Sequence, residues 1–157
     1  MKRRQAIKQL FFFAGGLVIA SSCIRKKEES SIALNNFSIT GEQEDLLADL
    51  CEAIIPKTDT PGSKELGIHL FVLKMLDDCH SPEEQSEFIK ELKGLKIQKG
   101  EDSDRYLAYL EKLDEDDLFK RILKRRTIQG YMNSEYVMKN LIVYEMVPGR
   151  YHGAVKI

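Results

Sequence analysis

The sequence predicts an all-α domain, an irregular bundle of five or six helices with an extended C-terminal arm. Between residues 40 and 141, apolar residues recur three or four positions apart, which is the spacing of a helix that buries one face. No stretch shows the sustained alternation of apolar and polar residues that is typical of a strand. Residues 40–157 are therefore predicted to form one small domain with a single core.

The first helix is predicted to begin after Thr40, because Thr40 and Gln43 have the spacing of a capping box. Its buried stripe consists of Leu46, Leu47, Leu50, Cys51, Ile54 and Ile55. Pro56 ends the helix, since proline lacks an N–H and disfavours a helical residue before it. A loop follows, with turn-forming residues at Pro61 and Gly62.

The second helix is predicted to begin at Ser63 or Lys64 and to end near Cys79. Its apolar face is formed by Ile68, Phe71, Val72, Met75 and Leu76. Ser81 caps a third helix, with Pro82 in its first turn and Glu84 completing a second capping box. The inner face of this third helix comprises Phe88, Leu92 and Leu95.

Two more helices follow a polar loop at residues 99–103. The first is short and carries the apolar residues Tyr106, Leu107, Leu110 and Leu113. Asp114 is predicted to cap the second, whose acidic start and basic end, at residues 120–126, would suit the helix dipole. Gly130 is the predicted terminator of that helix.

Ser134 is predicted to open a last short helix that runs to Leu141. The remaining residues, 143–157, contain Pro148, Gly149 and Gly153 among aromatic residues. This composition predicts an extended or irregular arm.

The N-terminus has the layout of an export signal. A basic start is followed by the apolar run from Leu10 to Ala20 and by small residues. The run is too short for a permanent transmembrane helix, which needs roughly 20 residues. The pair Arg3-Arg4 resembles the twin-arginine signal, a route that carries folded proteins. Entry by the general export route is the alternative.

Cys23 follows Ala20, Ser21 and Ser22, which together resemble a lipobox, so Cys23 is the predicted lipidation site. Ordinary cleavage that leaves a free thiol is the alternative. The predicted organisation is a signal at 1–22, a polar tether at 23–39 and a helical domain at 40–157. The predicted location is the periplasmic side of the membrane, with a lipid anchor.

Charge argues against a nucleic-acid partner. Residues 1–22 hold four basic residues and no acidic ones, so the remainder has 20 basic and 25 acidic residues, a net charge of −5. Binding to phosphates needs clustered Lys and Arg on a basic domain. The two remaining cysteines, Cys51 and Cys79, are interpreted as free or buried thiols, with a disulfide as the alternative.

Motifs for cofactors and catalysis are absent from the sequence. It contains no C-x-x-C-H for haem attachment, no G-x-G-x-x-G, no G-x-S-x-G and no H-E-x-x-H. The histidines are His69 in a helix, His80 at the end of a helix and His152 in the tail, and a structural role is the interpretation for each. No metal site and no catalytic residue is predicted.

Several short segments, in order along the chain, resemble the small subunit, subunit 3, of FAD-dependent gluconate 2-dehydrogenase. They are Leu50-Cys51-Glu52-Ala53-Ile54-Ile55-Pro56-Lys57-Thr58-Asp59-Thr60-Pro61-Gly62, Gly67-Ile68-His69, Asp78-Cys79, Ser81-Pro82-Glu83-Glu84-Gln85, Gly130-Tyr131 and 144–153. The sequence departs from this pattern at Ser63, His152 and Ala154.

The resemblance implies a subunit without a cofactor of its own. Its partner would be a large FAD-dependent subunit that oxidises a sugar or sugar acid, with a multihaem cytochrome c as a further partner. The small subunit would escort the flavoprotein through export and stabilise it at the membrane. Candidate contact residues are Pro56, Thr58, Asp59, Pro61 and Gly62 in the loop, and Pro148, Gly149, Arg150 and Tyr151 in the arm. Both segments could instead have purely structural roles.

Two other functions remain open at this point. One is a free-standing, lipid-anchored binding module for an envelope partner or a sugar. The other is an enzyme whose histidine and acidic residues form a site of unfamiliar type.

Overall fold

The prediction of an all-α domain is confirmed by a computed structural model, which describes residues 30–95 and 103–142. These two ranges contain six helices and no strand. The helices are α1 (Gly41–Ile54), α2 (Ile68–Cys79), α3 (Pro82–Gly94), α4 (Ser103–Lys112), α5 (Leu118–Met132) and α6 (Glu135–Asn140). The predicted C-terminal arm lies outside the described residues.

Local capping signals place the starts of three helices. Thr40 and Gln43 form a reciprocal capping box at α1, with the Gln43 N–H donating to Thr40 Oγ1 at 3.3 Å. Ser81 and Glu84 form the same motif at α3. Ser134 Oγ accepts the Val137 N–H at α6. A cap of this kind stabilises a helix by about 1 kcal/mol.

The helices enclose one apolar core. α5 packs against α2 and α3, and α1 packs against α4 and α2. Phe88 on α3 and Phe119 on α5 stack with ring centroids 4.6 Å apart. The largest fully buried side chains are Tyr106, Phe88, Phe119, Leu47, Leu50, Leu73, Leu76, Leu92 and Leu123. No helix within the described ranges has the length and apolarity needed to cross a membrane.

Two helices begin later than predicted. α2 begins at Ile68 rather than at Ser63 or Lys64, because a turn occupies the intervening residues and Gly67 adopts a left-handed φ of 65°. α5 begins at Leu118, with Asp117 rather than Asp114 as its cap. The basic residues 120–126 therefore lie in the first turns of α5, and the predicted match to the helix dipole is wrong.

Gly130 does not terminate α5, which continues to Met132. The residue is buried where α5 crosses α2. A Cβ at position 130 would lie 2.7 Å from Cδ1 of Phe71 and 3.1 Å from Cγ2 of Ile68. The close packing of α5 against α2, rather than the end of a helix, therefore explains the glycine at this position.

The segment 30–39, which the sequence assigns to the tether, lies against the bundle; we call it the N-terminal strap. Its backbone is held by two carboxylates. Glu44 accepts the Ser31 N–H at 2.6 Å, and the fully buried Asp77 accepts the N–H groups of Asn35 and Asn36 at 2.9 and 2.8 Å. Ile32, Leu34, Phe37 and Ile39 pack against the core. The bundle thus extends about ten residues before the start of α1.

Candidate functional site

The segment Pro56–Gly62, which we call the contact loop, connects α1 to the turn before α2. Its first half projects into solvent, since Pro56, Thr58 and Asp59 are exposed. Pro61 is partly buried and Gly62 is buried. Of the five predicted contact residues in this loop, three are therefore directly accessible to a partner, whereas Pro61 is only partly accessible and Gly62 is not.

Glu52, on the last turn of α1, holds the contact loop in place through its carboxylate. Its Oε1 accepts the Lys57 N–H at 2.9 Å, and its Oε2 accepts the Lys64 N–H at 2.7 Å. One carboxylate thus joins the two ends of the loop. Hydrogen bonds to a charged acceptor are worth about 1.5–3 kcal/mol each when protected from water, and less here because the site is exposed.

Tyr131, near the end of α5, supports the loop at Thr60 and Pro61. Its hydroxyl lies 3.1 Å from the Pro61 carbonyl oxygen and 3.2 Å from Thr60 Oγ1. The tyrosine is itself buried, with 8% of its surface exposed. A contact across 71 residues of chain therefore connects the loop to α5.

Backbone hydrogen bonds complete the loop. The Thr58 N–H donates to the Thr60 carbonyl oxygen, and the Ser63 N–H donates to the Ile55 carbonyl oxygen, each at 3.0 Å. With Glu52 and Tyr131, these bonds fix the loop at both ends and along one side. A preorganised loop loses little conformational entropy on binding, which favours a role in recognition.

A cavity of about 250 Å³ lies close to the contact loop, between α1, α4 and α5. Its apolar wall is formed by Ile54, Leu107 and Leu110, and its charged rim by Glu111, Glu115, Lys120 and Lys124. Clefts that bind drug-sized ligands usually measure roughly 300–1,000 Å³. The size and apolar wall of this cavity suit the side chain of a bound protein.

His69 and His80, the two histidines in the described part of the chain, differ in their surroundings. His80 lies between Glu84, whose Oε2 is 3.0 Å from His80 Nδ1, and Arg126, whose Nε donates to His80 Nε2 at 3.2 Å. This cluster joins the end of α2 to α3 and α5. Burial lowers the pKa of His69, and its Nε2 lies 3.9 Å from Glu44 Oε1. Residues 30–95 and 103–142 contain no group of three or more metal-ligating side chains that could hold an ion.

Both cysteines in the described ranges are free thiols. Cys51 is fully buried, and burial raises the pKa of its thiol to about 12, so it is an unreactive core residue. Thr127 donates a hydrogen bond to its Sγ at 3.4 Å. Cys79 is exposed at the end of α2.

The other predicted functional residues lie outside the described residues; they are Arg3, Arg4, Cys23, Pro148, Gly149, Arg150 and Tyr151. Sequence reasoning also missed the two supports of the loop. Glu52 and Tyr131 both fall within the segments of family resemblance, but no spacing rule connects either one to the loop.

Comparison with known proteins gives one family. The family model described as gluconate 2-dehydrogenase subunit 3 matches residues 41–111 and 96–149. The two matched segments overlap and together cover well over half of the chain, including the contact loop, Glu52 and Tyr131. No curated protein and no solved structure matches the chain significantly.

Proposed function

The chain belongs to the gluconate 2-dehydrogenase subunit 3 family, and from this premise we propose that it is the non-catalytic accessory subunit of an exported, FAD-dependent dehydrogenase. Membership in a family of subunits implies partner subunits. In the proposed complex, the large subunit holds FAD and oxidises a sugar or sugar acid, and a cytochrome c subunit receives the electrons. The small subunit binds the large one and stabilises it.

The observation that carries this proposal is the supported contact loop within the family match. Pro56, Thr58 and Asp59 are exposed on a loop that Glu52 and Tyr131 hold in place. A solvent-exposed loop needs no such support for folding alone, since surface loops tolerate flexibility. Such support would strengthen binding to a partner, because the loop is already ordered in the free protein and loses little conformational entropy on binding.

Export and anchoring form the second part of the proposal. Arg3 and Arg4 direct the chain to the twin-arginine route, and Cys23 carries a lipid on the mature protein. Because that route carries folded proteins, a flavoprotein without its own signal could cross the membrane while bound to this chain. The lipid would then keep the complex on the periplasmic side of the membrane.

The experiment is affinity purification of the full-length chain, with a C-terminal tag, from detergent-solubilised native membranes. We expect a flavoprotein to copurify in constant proportion, identified by mass spectrometry and by flavin absorbance. A chain that purifies alone as a monomer would overturn the proposal and favour the free-standing binding module. Turnover of a substrate by the purified chain without flavin would favour the enzyme.

The C-terminal arm is tested in the same preparation. We propose that Arg150 and Tyr151 contribute to the contact, because Arg and Tyr are common interface anchors and Pro148 restricts the backbone before them. Replacing both with alanine should reduce the recovered flavoprotein while circular dichroism remains helical. Loss of the helical signal would instead assign the arm to the core.

A further inference from the structure

The exposed face of α5 carries an unusual combination of residues. It consists of Arg121, Lys124, Arg125, Ile128 and Met132, which we call the α5 strip. At 100° per residue, these five positions fall within an arc of about 100° on the helix. All five are exposed to solvent.

Cations occupy the first half of the strip, although the chain after the signal has a net charge of −5. Arg125 makes no hydrogen bond or ion pair with any residue in the described ranges. Lys124 makes a long ion pair, with Nζ 3.9 Å from Glu115 Oε2, and 57% of its side chain is exposed. These cations remain largely available to a partner.

Apolar side chains occupy the second half. Ile128 and Met132 lie one turn apart and are 44% and 50% exposed. Leu141 and Ile142, at the end of α6, are 41% and 39% exposed, and α6 packs against α5. Arg and Met are enriched in protein interfaces, and an apolar region bordered by charged groups is typical of a docking surface.

Two observations place the strip near the contact loop. Tyr131, which contacts Thr60 and Pro61, directly precedes Met132 in the chain. Lys124 lines the 250 Å³ cavity together with Ile54, which lies two residues before the loop. Lys124 and Tyr131 are seven positions apart, so they lie on nearly the same face of α5, and the cavity and the contact loop both border that edge of the strip.

We propose that the α5 strip is the docking surface for the FAD-dependent large subunit, which contacts it through an acidic region with an apolar centre. Arg121, Lys124 and Arg125 would pair with carboxylates, Ile128 and Met132 would meet the apolar centre, and an apolar side chain would enter the cavity. This inference rests on the proposed function, since it names the surface through which that partner binds.

A second copy of this chain is a less suitable occupant. In a symmetric dimer through the strip, the same patch faces itself, so the cations of both copies would be brought together. Like charges in contact across an interface oppose association. A partner with acidic residues gains from the same cations, both in affinity and in the rate of encounter.

The experiment compares charge reversal on the strip with charge reversal elsewhere. Arg121→Glu with Arg125→Glu is the test pair, and Lys90→Glu with Lys93→Glu is the matched control, because these two lysines are exposed on α3. Each tagged full-length variant is purified from native membranes at low and high salt. We expect the test pair to lower flavoprotein recovery at least about tenfold, as for loss of interface charge pairs, and the control pair to leave it within about twofold.

Folding and the other occupants are measured on the same proteins. Circular dichroism should show a helical protein for both pairs. Ile128→Ser is a second strip variant, without charge reversal, and it should also lower flavoprotein recovery. If wild type recovers no flavoprotein, the proposed function fails. If wild type, both strip variants and the control recover it equally, the strip proposal alone is overturned.

Two further results would reassign the strip. In the first, the Cys23→Ser chain binds phosphatidylglycerol vesicles, the test pair abolishes that binding, and flavoprotein recovery does not change. This result would assign the strip to a lipid surface. In the second, light scattering shows a dimer, the test pair dissociates it, and flavoprotein recovery again does not change. This result would assign the strip to contact with a second copy of the chain.

Discussion

The carboxylate of Glu52 occupies the space that a side chain at position 62 would need. A Cβ on Gly62 would lie 2.6 Å from Cδ of Glu52, well inside van der Waals contact. The glycine is therefore required by the support of the loop, since the backbone of Gly62 does not have a positive φ. Position 62 and position 52 form one unit, in which each restricts the other.

This relationship predicts a non-additive pair of substitutions. Gly62→Ala should displace the Glu52 carboxylate from the N–H groups of Lys57 and Lys64 and cost about 1–3 kcal/mol of unfolding free energy. In a Glu52→Ala background that space is empty, so Gly62→Ala should leave the unfolding free energy almost unchanged. Urea unfolding of the four proteins measures the difference. An equal cost of Gly62→Ala in both backgrounds would contradict the assignment.

Substitution by alanine should change the thermal stability in opposite directions at two helical glycines, Gly130 and Gly94. At Gly130 the added methyl group meets Phe71 and Ile68, and overpacking costs about 1–3 kcal/mol, which exceeds the helix-propensity gain of roughly 1 kcal/mol. At Gly94, on the last turn of α3, the described residues place no atom within 4 Å of the added methyl group apart from the adjacent residues and the backbone of the helix itself, so only the gain applies. Thermal unfolding should therefore show a lower Tm for Gly130→Ala and an unchanged or higher Tm for Gly94→Ala. A higher Tm for both would show that Phe71 moves aside at little cost.

Asp77 should make the N-terminal strap sensitive to acid. Burial opposes ionisation of this carboxyl, but the N–H groups of Asn35 and Asn36 outweigh it, and the pKa lies below its ordinary value of 3.8. Stability from the ionised form is therefore present above pH 3.8 and is lost as pH falls through the lower folded pKa. Asp77→Asn should destabilise the protein by about 1–3 kcal/mol at pH 7, and this deficit should shrink below pH 3.8.

The neighbouring Asp78 provides the control for that measurement. It is 46% exposed and pairs with Lys74, so Asp78→Asn should change stability by less than about 1 kcal/mol. Urea unfolding at neutral and acidic pH measures both variants, and limited proteolysis within residues 30–39 reports release of the strap. An Asp77→Asn deficit that stays constant down to pH 2 would contradict the assignment.

Local chemistry made much of the fold predictable. The capping residues Thr40, Ser81 and Ser134 each accept the N–H three residues later, so their spacing alone places the helix starts. Gly130 could not be interpreted in this way. A glycine near the end of a helical pattern is usually a terminator, and only the crossing of α5 over α2 reveals the close approach to Phe71.

The candidate site was predictable in position but not in construction. Pro56, Pro61 and Gly62 mark a loop by their backbone chemistry. Its support by Tyr131 depends on a tertiary contact, because Tyr131 and Pro61 are 70 residues apart in the chain. The N-terminal strap depends on another, between Asp77 and Asn35, which are 42 residues apart. Periodicity also assigns Leu107 to a buried face, whereas it is 42% exposed beside the cavity. These contacts follow from packing, which a one-dimensional pattern does not specify.

Lipidation is tested by replacing the predicted acceptor. Cys23→Ser should abolish metabolic labelling with a radioactive fatty acid, because the serine hydroxyl replaces the thiol that receives the lipid. Cys79→Ser removes an exposed thiol of the helical domain and should leave labelling unchanged. Retained labelling in Cys23→Ser would contradict the prediction. Lost labelling with unchanged membrane association would indicate that a partner subunit, rather than the lipid, holds the chain at the membrane.

Export by the twin-arginine route predicts a strict requirement for the arginine pair. Replacing Arg3 and Arg4 with lysine preserves the charge of the n-region, so the general export route should tolerate the change while the twin-arginine route should not. We expect the Lys-Lys variant to remain in the cytoplasm, and its flavoprotein partner to remain there with it. Arg25→Lys, outside the signal, is the matched control and should be exported normally. Cell fractionation followed by immunoblotting of both subunits measures the outcome. Normal export of the Lys-Lys variant would assign the chain to the general route, and a flavoprotein exported without it would remove the escort role from the proposed function.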